Sequence, residues 1–230
     1  MSDAYYNGYD LMRFAGMMSI KQQPYWYATF CQHCTQDLFD RKSAQYPDHY
    51  DHGTDYARDI EMQYVCTDCV GLLKGFFWAG PGGWKKIIDA IGNVDAEIPL
   101  TYQGYGVPDY SADQMYGYFS NLAGEGRHGD ISTLPLDRAC LMLHSPGHCG
   151  LYVGNGYSIE ASSRFTYVVY QPLEGRPIPW AEWTYFPDTL INNDIIYKPY
   201  NPNNDPYFIQ NILFWAMKKR KVAGVYGPKR

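Results

Sequence analysis

The chain has 230 residues, 46% of them hydrophobic and 19% charged, which is typical of a globular protein with a full core. A net charge of −5, with no long basic stretch in the main body, argues against a nucleic-acid-binding protein. Residues 1–16 contain acidic residues and no sustained apolar run, which argues against a signal peptide. No apolar segment of the sequence is long enough to span a bilayer. We therefore expect synthesis in the cytoplasm without a signal peptide, no membrane partner, and six free cysteines.

The first part of the chain predicts a helix followed by an aromatic segment. Residues 5–22 contain a loosely periodic apolar set that predicts a helix, which ends before Pro24. Residues 24–30 are aromatic and extended, a pattern typical of a segment that lines a cleft. Residues 31–65 are polar and mixed, and we interpret them as an insertion ahead of the next helix.

That next helix begins beside a cysteine. Thr67 or Asp68 can cap its free N–H groups, and leucines and phenylalanines then repeat at helical spacing. Gly71 and Gly75 lie four residues apart, which leaves a bare stripe where the helix can approach another element closely. A thiol at a helix N-terminus feels the positive end of the helix dipole, which lowers its pKa. Cys69 is therefore a candidate nucleophile.

The second half of the chain changes from helical patterning to strands. Ser111 is the predicted N-cap of a helix whose Leu122 side chain is expected to face inward. Further along, residues 172–187 are expected to wrap around the core without crossing it. The predicted elements are helices over residues 84–91 and 111–123, and then strands over residues 139–144, 148–153, 157–161 and 166–171.

Residues 1–200 are predicted to form one domain, and residues 201–230 a linker with a short amphipathic helix that ends in basic residues. A helix this short is marginal without packing. We expect it to dock on the main domain, or to contact a cell-wall or protein partner.

His148 and Glu160 lie on successive predicted strands joined by the turn at residues 154–156. A thiolate nucleophile needs an imidazole partner, and the imidazole needs a third group that fixes its tautomer. A two-residue turn would place the two side chains on opposite faces, whereas a three-residue turn ending in left-handed Gly156 would place them on one face. The triad thus requires an odd residue count in the turn. Cys149 should face the other side of its strand, in the core.

Three motifs in this order resemble the NlpC/P60 cysteine peptidases, most closely the versions in prophage and phage cell-wall hydrolases. The resemblance covers roughly residues 20–190, and it implies an α+β, papain-like fold in which the helix that carries the nucleophile packs on an antiparallel sheet. The motifs are Asp68-Cys69-Val70-Gly71-Leu72, the run from His148 to Gly156, and Ile159-Glu160-Ala161.

The same resemblance implies that Cys69 is the nucleophile, His148 the general base and Glu160 the third residue. Tyr25 matches a tyrosine that lies near the thiol and the substrate, and we also expect Asp68 to contact the substrate. The implied substrate is a peptidoglycan stem peptide, cut most often between D-glutamate and the diamino acid, with no cofactor or metal. Action on the cell wall would follow release or delivery, as for phage enzymes.

Two positions depart from the family pattern. Val70 stands where a serine usually follows the nucleophile, and Glu160 stands where the family usually has His, Asn or Gln. A carboxylate can accept the Nδ1–H bond of the imidazole and favours the imidazolium. This triad therefore predicts an active enzyme, with altered substrate contacts beside the thiol.

The cysteines also allow a zinc alternative, because Cys31 and Cys34, and Cys66 and Cys69, form two C-x₂-C pairs. A four-cysteine site would make the chain a non-catalytic, zinc-stabilised cell-wall-binding or virion component. The 31-residue gap is longer than in the usual pair of knuckles, and zinc leaves the histidine and glutamate motifs unexplained. A second enzymatic alternative is an N-acetylmuramoyl-L-alanine amidase with the same triad.

Overall fold

The computed structural model describes residues 6–50, 53–136, 138–144, 146–176 and 179–192. The linker and helix predicted over residues 201–230 lie outside the described residues. Within the described ranges, none of the helices combines the length and apolar character that crossing a membrane requires.

Short helices and strands make up the described chain. The helices are α1 (Gly8–Ile20), α2 (Gln36–Gln45), α3 (Tyr56–Glu61), α4 (Gly71–Trp78), α5 (Trp84–Ala90) and α6 (Ala112–Ala123). The strands are β1 (Tyr6–Asn7), β2 (Phe30–His33), β3 (Val65–Thr67), β4 (His128–Asp130), β5 (Cys140–His144), β6 (His148–Gly154), β7 (Tyr157–Ser162), β8 (Tyr167–Pro172), β9 (Glu182–Tyr185) and β10 (Ile191–Asn192). The helices and strands predicted over residues 84–171 are thereby confirmed to within a few residues.

The main sheet runs in the order β4-β9-β5-β6-β7-β8 through the described residues, and each neighbouring pair is antiparallel. Leu141 and Leu143 of β5 face the main core, into which α1 and α6 also pack. Cys140 and Met142 alternate with them and face a smaller cluster around Trp180 on the other side. Both faces are covered, which explains why the inner strands are almost continuously buried.

The expectation that residues 172–187 only wrap around the core is wrong. Strand β9 lies inside the main sheet, between β4 and β5. The prolines at positions 179 and 187 fall outside this strand, so they do not interrupt its hydrogen bonds. Leu122 was also expected to face inward, but its side chain is 51% exposed. The buried residues of α6 end at Phe119 and Ser120, and Leu122 belongs to the last turn, where it borders a groove.

The β6–β7 hairpin differs from the predicted three-residue turn. Gly154 pairs with Tyr157, so the turn contains only Asn155 and Gly156, and both residues have positive φ. Strand β6 has one residue more than β7 next to the turn. This residue is Val153, which forms a bulge where the register shifts. Beyond this bulge the strands have the register that a three-residue turn would give. The predicted length of the turn was wrong. The one extra residue that the triad requires lies in strand β6 and not in the turn.

Helix α4 lies directly on the small antiparallel sheet formed by β2 and β3. A Cβ atom at Gly71 would overlap the carbonyl oxygen of Thr29, and one at Gly75 would overlap the Sγ of Cys31. The predicted bare stripe is therefore confirmed, and so is the α+β class with the cysteine-bearing helix on an antiparallel sheet. The segment expected as an insertion, residues 31–65, contains most of β2, both α2 and α3, and the first residue of β3.

We expect Gly71→Ala to lower the free energy of unfolding by about 1–3 kcal/mol, because the added methyl group has no space against Thr29. Denaturant unfolding of the purified protein measures this. Gly117→Ala is the matched control, since a Cβ there meets nothing within 4 Å in helix α6. It should be neutral or stabilise by up to about 1 kcal/mol. Equal stability of Gly71→Ala and the parent would contradict the close approach of α4.

Candidate active site

Cys69 lies at the first turn of the α4 helix. The N–H of Leu72 donates to the carbonyl oxygen of Asp68 at 3.1 Å, the i→i−4 spacing, so the helical turn begins at Cys69. Asp68 Oδ1 accepts the N–H of Gly71 at 2.5 Å. Thr67, the other predicted cap, instead donates its hydroxyl to the carbonyl oxygen of Asp68. Asp68 is thus the residue that caps the helix.

The Asp68 carboxylate points into the protein. The residue is 8% exposed, and burial together with the nearby Cys69 thiol raises the pKa of Asp68 to about 7, against the lowering effect of the Gly71 N–H bond. Neither Asp68 nor Cys69 lines the cavity of about 530 Å³ that opens beside His148 and Glu160. Its position identifies a structural role at the helix start, and its contact with a substrate stays a prediction.

The structure brings Cys69, His148 and Glu160 together. The ring of His148 contacts Glu160 Oε2 through Nε2 at 2.5 Å, and the same ring interacts electrostatically with the thiol of Cys69. The expectation that Glu160 accepts the Nδ1–H bond is wrong. Cys69 Sγ lies 3.8 Å from the carbonyl oxygen of Gly147, close to the backbone of His148. Nδ1 is the ring nitrogen nearest that backbone, so it is the one left for the thiol.

The electrostatics of this group favour a thiolate–imidazolium pair. Hydrogen bonds from the Cys149 thiol and from His148 lower the pKa of Cys69 well below its ordinary value, although burial acts in the opposite direction. Burial alone would lower the pKa of His148, but hydrogen bonds to Cys69 and Glu160 raise it to about 9. Between these two pKa values the sulfur is charged and nucleophilic while the imidazole carries a proton.

Cys149 is a further residue of the candidate site, and the sequence did not reveal its place there. It is fully buried in the main core, as expected from strand alternation. Its thiol and its backbone N–H also act on the Cys69 sulfur and favour its charged form. The bond to Cys69, together with burial, raises the pKa of Cys149 well above its ordinary value, so this thiol keeps its proton and donates it to the thiolate. The sequence feature that could have indicated this place in the site is that Cys149 directly follows His148.

Glu160 is the buried third member. It is 2% exposed, and its second oxygen, Oε1, forms an ion pair with Nη1 of Arg176. Burial raises the pKa of a carboxyl group, but the hydrogen bonds from His148 and Arg176 outweigh burial, so the pKa of Glu160 lies below its ordinary value. Glu160 therefore stays ionised between two cationic groups. Arg176 follows β8 in a loop and belongs to no motif, so nothing in the sequence identified it.

A cavity of about 530 Å³ opens beside the triad, with His148, Glu160 and Tyr25 in its wall. Its volume is in the range of small-molecule and peptide-side-chain sites. The backbone of Tyr25 pairs with Thr67, two residues before Cys69. Burial and the neighbouring Cys69 raise the pKa of Tyr25 and keep its hydroxyl neutral. The other aromatic and charged side chains of the wall include Tyr27, His49, Tyr56, Arg164, Phe165 and Glu174.

The four cysteines of the zinc alternative do not form one site, although the Cys34 and Cys66 thiols interact with each other. Cys31 Sγ lies 3.9 Å from the carbonyl oxygen of Gly71, Cys66 Sγ lies 3.4 Å from that of Gln32, and Cys69 faces β6. In the part of the chain that the structure describes, no group of three or more His, Cys, Asp or Glu side chains is arranged to hold a metal. All six cysteines are free thiols. This arrangement supports the nucleophile role of Cys69 over the zinc role.

The sequence matches no protein-family model and none of the curated proteins. The structure is similar to NlpC2 from Trichomonas vaginalis, with 19% identity and a TM-score of 0.35, over 77% of this chain and 47% of that one. It is similar to the peptidoglycan hydrolase RipB from Mycobacterium tuberculosis, with 18% identity and a TM-score of 0.34, over 76% and 65%. The P60 domain of an antigen from M. avium subspecies paratuberculosis gives 21% identity and a TM-score of 0.33, over 77% and 96%. The chain thus spans less than two thirds of the first two structures.

We expect iodoacetamide to alkylate Cys69 at neutral pH, because a lowered pKa leaves its sulfur as the thiolate there. Burial raises the pKa values of Cys31 and Cys34, so these residues should stay unreacted in the folded protein. Peptide mass spectrometry after a short reaction measures both. In His148→Ala the reaction should require a higher pH, because the thiolate loses its cationic partner. Reaction of Cys69 only at alkaline pH in the parent would contradict the ion pair.

Proposed function

We propose that this chain is a cysteine peptidase of the NlpC/P60 type that hydrolyses an amide bond in peptidoglycan stem peptides. The observation that carries the proposal is the Cys69–His148–Glu160 arrangement at a helix start, beside a cavity of about 530 Å³. The order of the three sequence motifs supports the family and the substrate class.

The proposed reaction proceeds in two stages. The Cys69 thiolate attacks the amide carbonyl carbon, and the His148 imidazolium gives its proton to the leaving amine, which leaves a thioester on the enzyme. Water then attacks the thioester while His148 takes its proton, and the acid product leaves with the thiol regenerated. Glu160 orients the imidazole and stabilises its charge in both stages. The backbone N–H of Cys69 is the donor that we assign to the oxyanion.

The bond that we propose is the one between D-glutamate and the diamino acid. Stem peptides carry free carboxylates, and Arg164 places a cation in the wall of the cavity where such a group can bind. Tyr25 lies next to the thiol, in a position to contact the substrate backbone. We further propose that the protein acts on the cell wall after release or delivery, with residues 201–230 as a contact for wall polymers.

We expect Cys69→Ala to reduce hydrolysis of purified cell wall by about 10⁴-fold or more, because the reaction loses its nucleophile. Its melting temperature should stay close to that of the parent, since one sulfur contributes little to packing. Cys34→Ala is the matched control, because it also removes a buried thiol, here one that the reaction does not use. This control should retain full activity.

Mass spectrometry of the digested wall identifies the bond. A new D-glutamate carboxyl end and a new diamino acid amine are expected. A new L-alanine amine at the muramoyl link would assign an amidase instead. Wall that binds the protein but shows no new ends would refute a hydrolase and favour a binding component.

A further inference from the structure

Two side chains outside the triad surround the His148–Glu160 pair. Arg176 forms an ion pair with Glu160 and donates from Nη1 to the hydroxyl of Ser158 at 3.2 Å. The Arg176 guanidinium lies 4.5 Å from the centre of the Trp180 ring. That ring in turn stacks on His148, with 5.5 Å between the ring centres and 12° between the planes. Arg176 is thus fixed from three sides, by a carboxylate, a hydroxyl and an indole.

Strand β6 makes room for this arrangement. A Cβ atom at Gly150 would lie 2.7 Å from Cη2 of Trp180, closer than real Cβ contacts allow. Trp180 is 4% exposed, so its ring packs against the protein and has almost no contact with solvent. The glycine therefore lets the indole reach both the imidazole and the guanidinium. The Trp180 ring therefore contacts both the Arg176 guanidinium and the His148 imidazole. An aromatic ring attracts cations, so these contacts favour the charged forms of both side chains.

The charges of the site balance only when Arg176 is included. The Cys69 thiolate and the Glu160 carboxylate are negative, and the His148 imidazolium is the single cation of the triad. A buried carboxylate without a compensating cation loses its charge or its position. Arg176 supplies the second positive charge through a side chain that is 13% exposed.

We propose that Arg176 is a positioning residue that holds the Glu160 carboxylate against His148 and thereby keeps Cys69 in its thiolate form. Arg176 acts on the sulfur through its ion pair with Glu160 and the contact of Glu160 with His148. Its consequence for hydrolysis rests on the proposed function, whereas its effect on the thiol does not. Reactivity of Cys69 towards an alkylating agent therefore tests it without any wall substrate.

Other ionisable groups also face the thiol and are kept constant in the test. Asp68 and Tyr25 lie close to Cys69, Cys149 donates to it, and Lys74 acts on the same cluster. None of these is altered by a change at position 176. A shift in the reactivity profile is therefore assignable to the Arg176–Glu160–His148 chain.

The experiment measures the rate of Cys69 alkylation by iodoacetamide as a function of pH, with peptide mass spectrometry, in the 230-residue protein. In Arg176→Met the acid limb of the profile should move to higher pH by on the order of one unit, because removal of a nearby cation disfavours the thiolate. Arg176→Lys, which keeps the charge, should recover most of the parent profile. Arg127→Met is the matched control, because it breaks an arginine–aspartate ion pair elsewhere, and its profile should equal that of the parent.

Glu160→Gln shows whether Arg176 acts through the carboxylate. In that background Arg176→Met should shift the profile less than in the parent, since the two positions act as a unit. An equal shift in both backgrounds, or no shift in folded Arg176→Met, would overturn the proposal. If Arg176→Met does not fold, Arg176→Gln replaces it and must show the same shift. A shifted profile combined with a parent that leaves wall intact would refute only the proposed function.

Discussion

The contact between His148 and Glu160 depends on one extra residue in strand β6. Side chains alternate between the two faces of a sheet, so a slip of one residue moves every later side chain to the other face. The bulge at Val153 shifts the register once, and it places His148 and Glu160 together on the face that carries Trp180. Without the bulge, Glu160 would face the main core, where an ionised carboxylate has no partner.

The nucleophile reaches this pair from a separate part of the fold. Helix α4 rests on strand β2 through Gly71 and Gly75, and this close approach sets how far its first turn extends towards β6. The Asp68 cap then fixes the conformation at which Cys69 enters the helix. The ion pair thus requires two independent alignments, one of a helix on a small sheet and one of two strands in the main sheet. The two alignments meet at residues 147–149, where Cys69 contacts the chain on either side of His148.

The parts of the site that could be predicted depend on local patterns. A cap, a cysteine and a glycine stripe within nine residues identify the nucleophile helix, and strand alternation identifies the histidine–glutamate pair. The turn was predicted with the wrong length because a bulge and a longer turn give the same register. The place of β9 in the main sheet and the contact of Arg176 with Glu160 come from pairing of distant segments, which leaves no periodic signal in either segment.

The ion pair with Arg176 also explains why an acidic residue is compatible with position 160. A neutral acceptor there would orient the imidazole equally well, but it would remove the carboxylate that forms an ion pair with the guanidinium beside Ser158 and Trp180. Removing one partner of a buried ion pair is more costly than never having formed the pair. Positions 160 and 176 are therefore coupled: a change at Glu160 to a neutral residue is tolerated best when Arg176 becomes neutral as well. The acidic third member and the arginine behind it are two parts of a single charge-balanced arrangement.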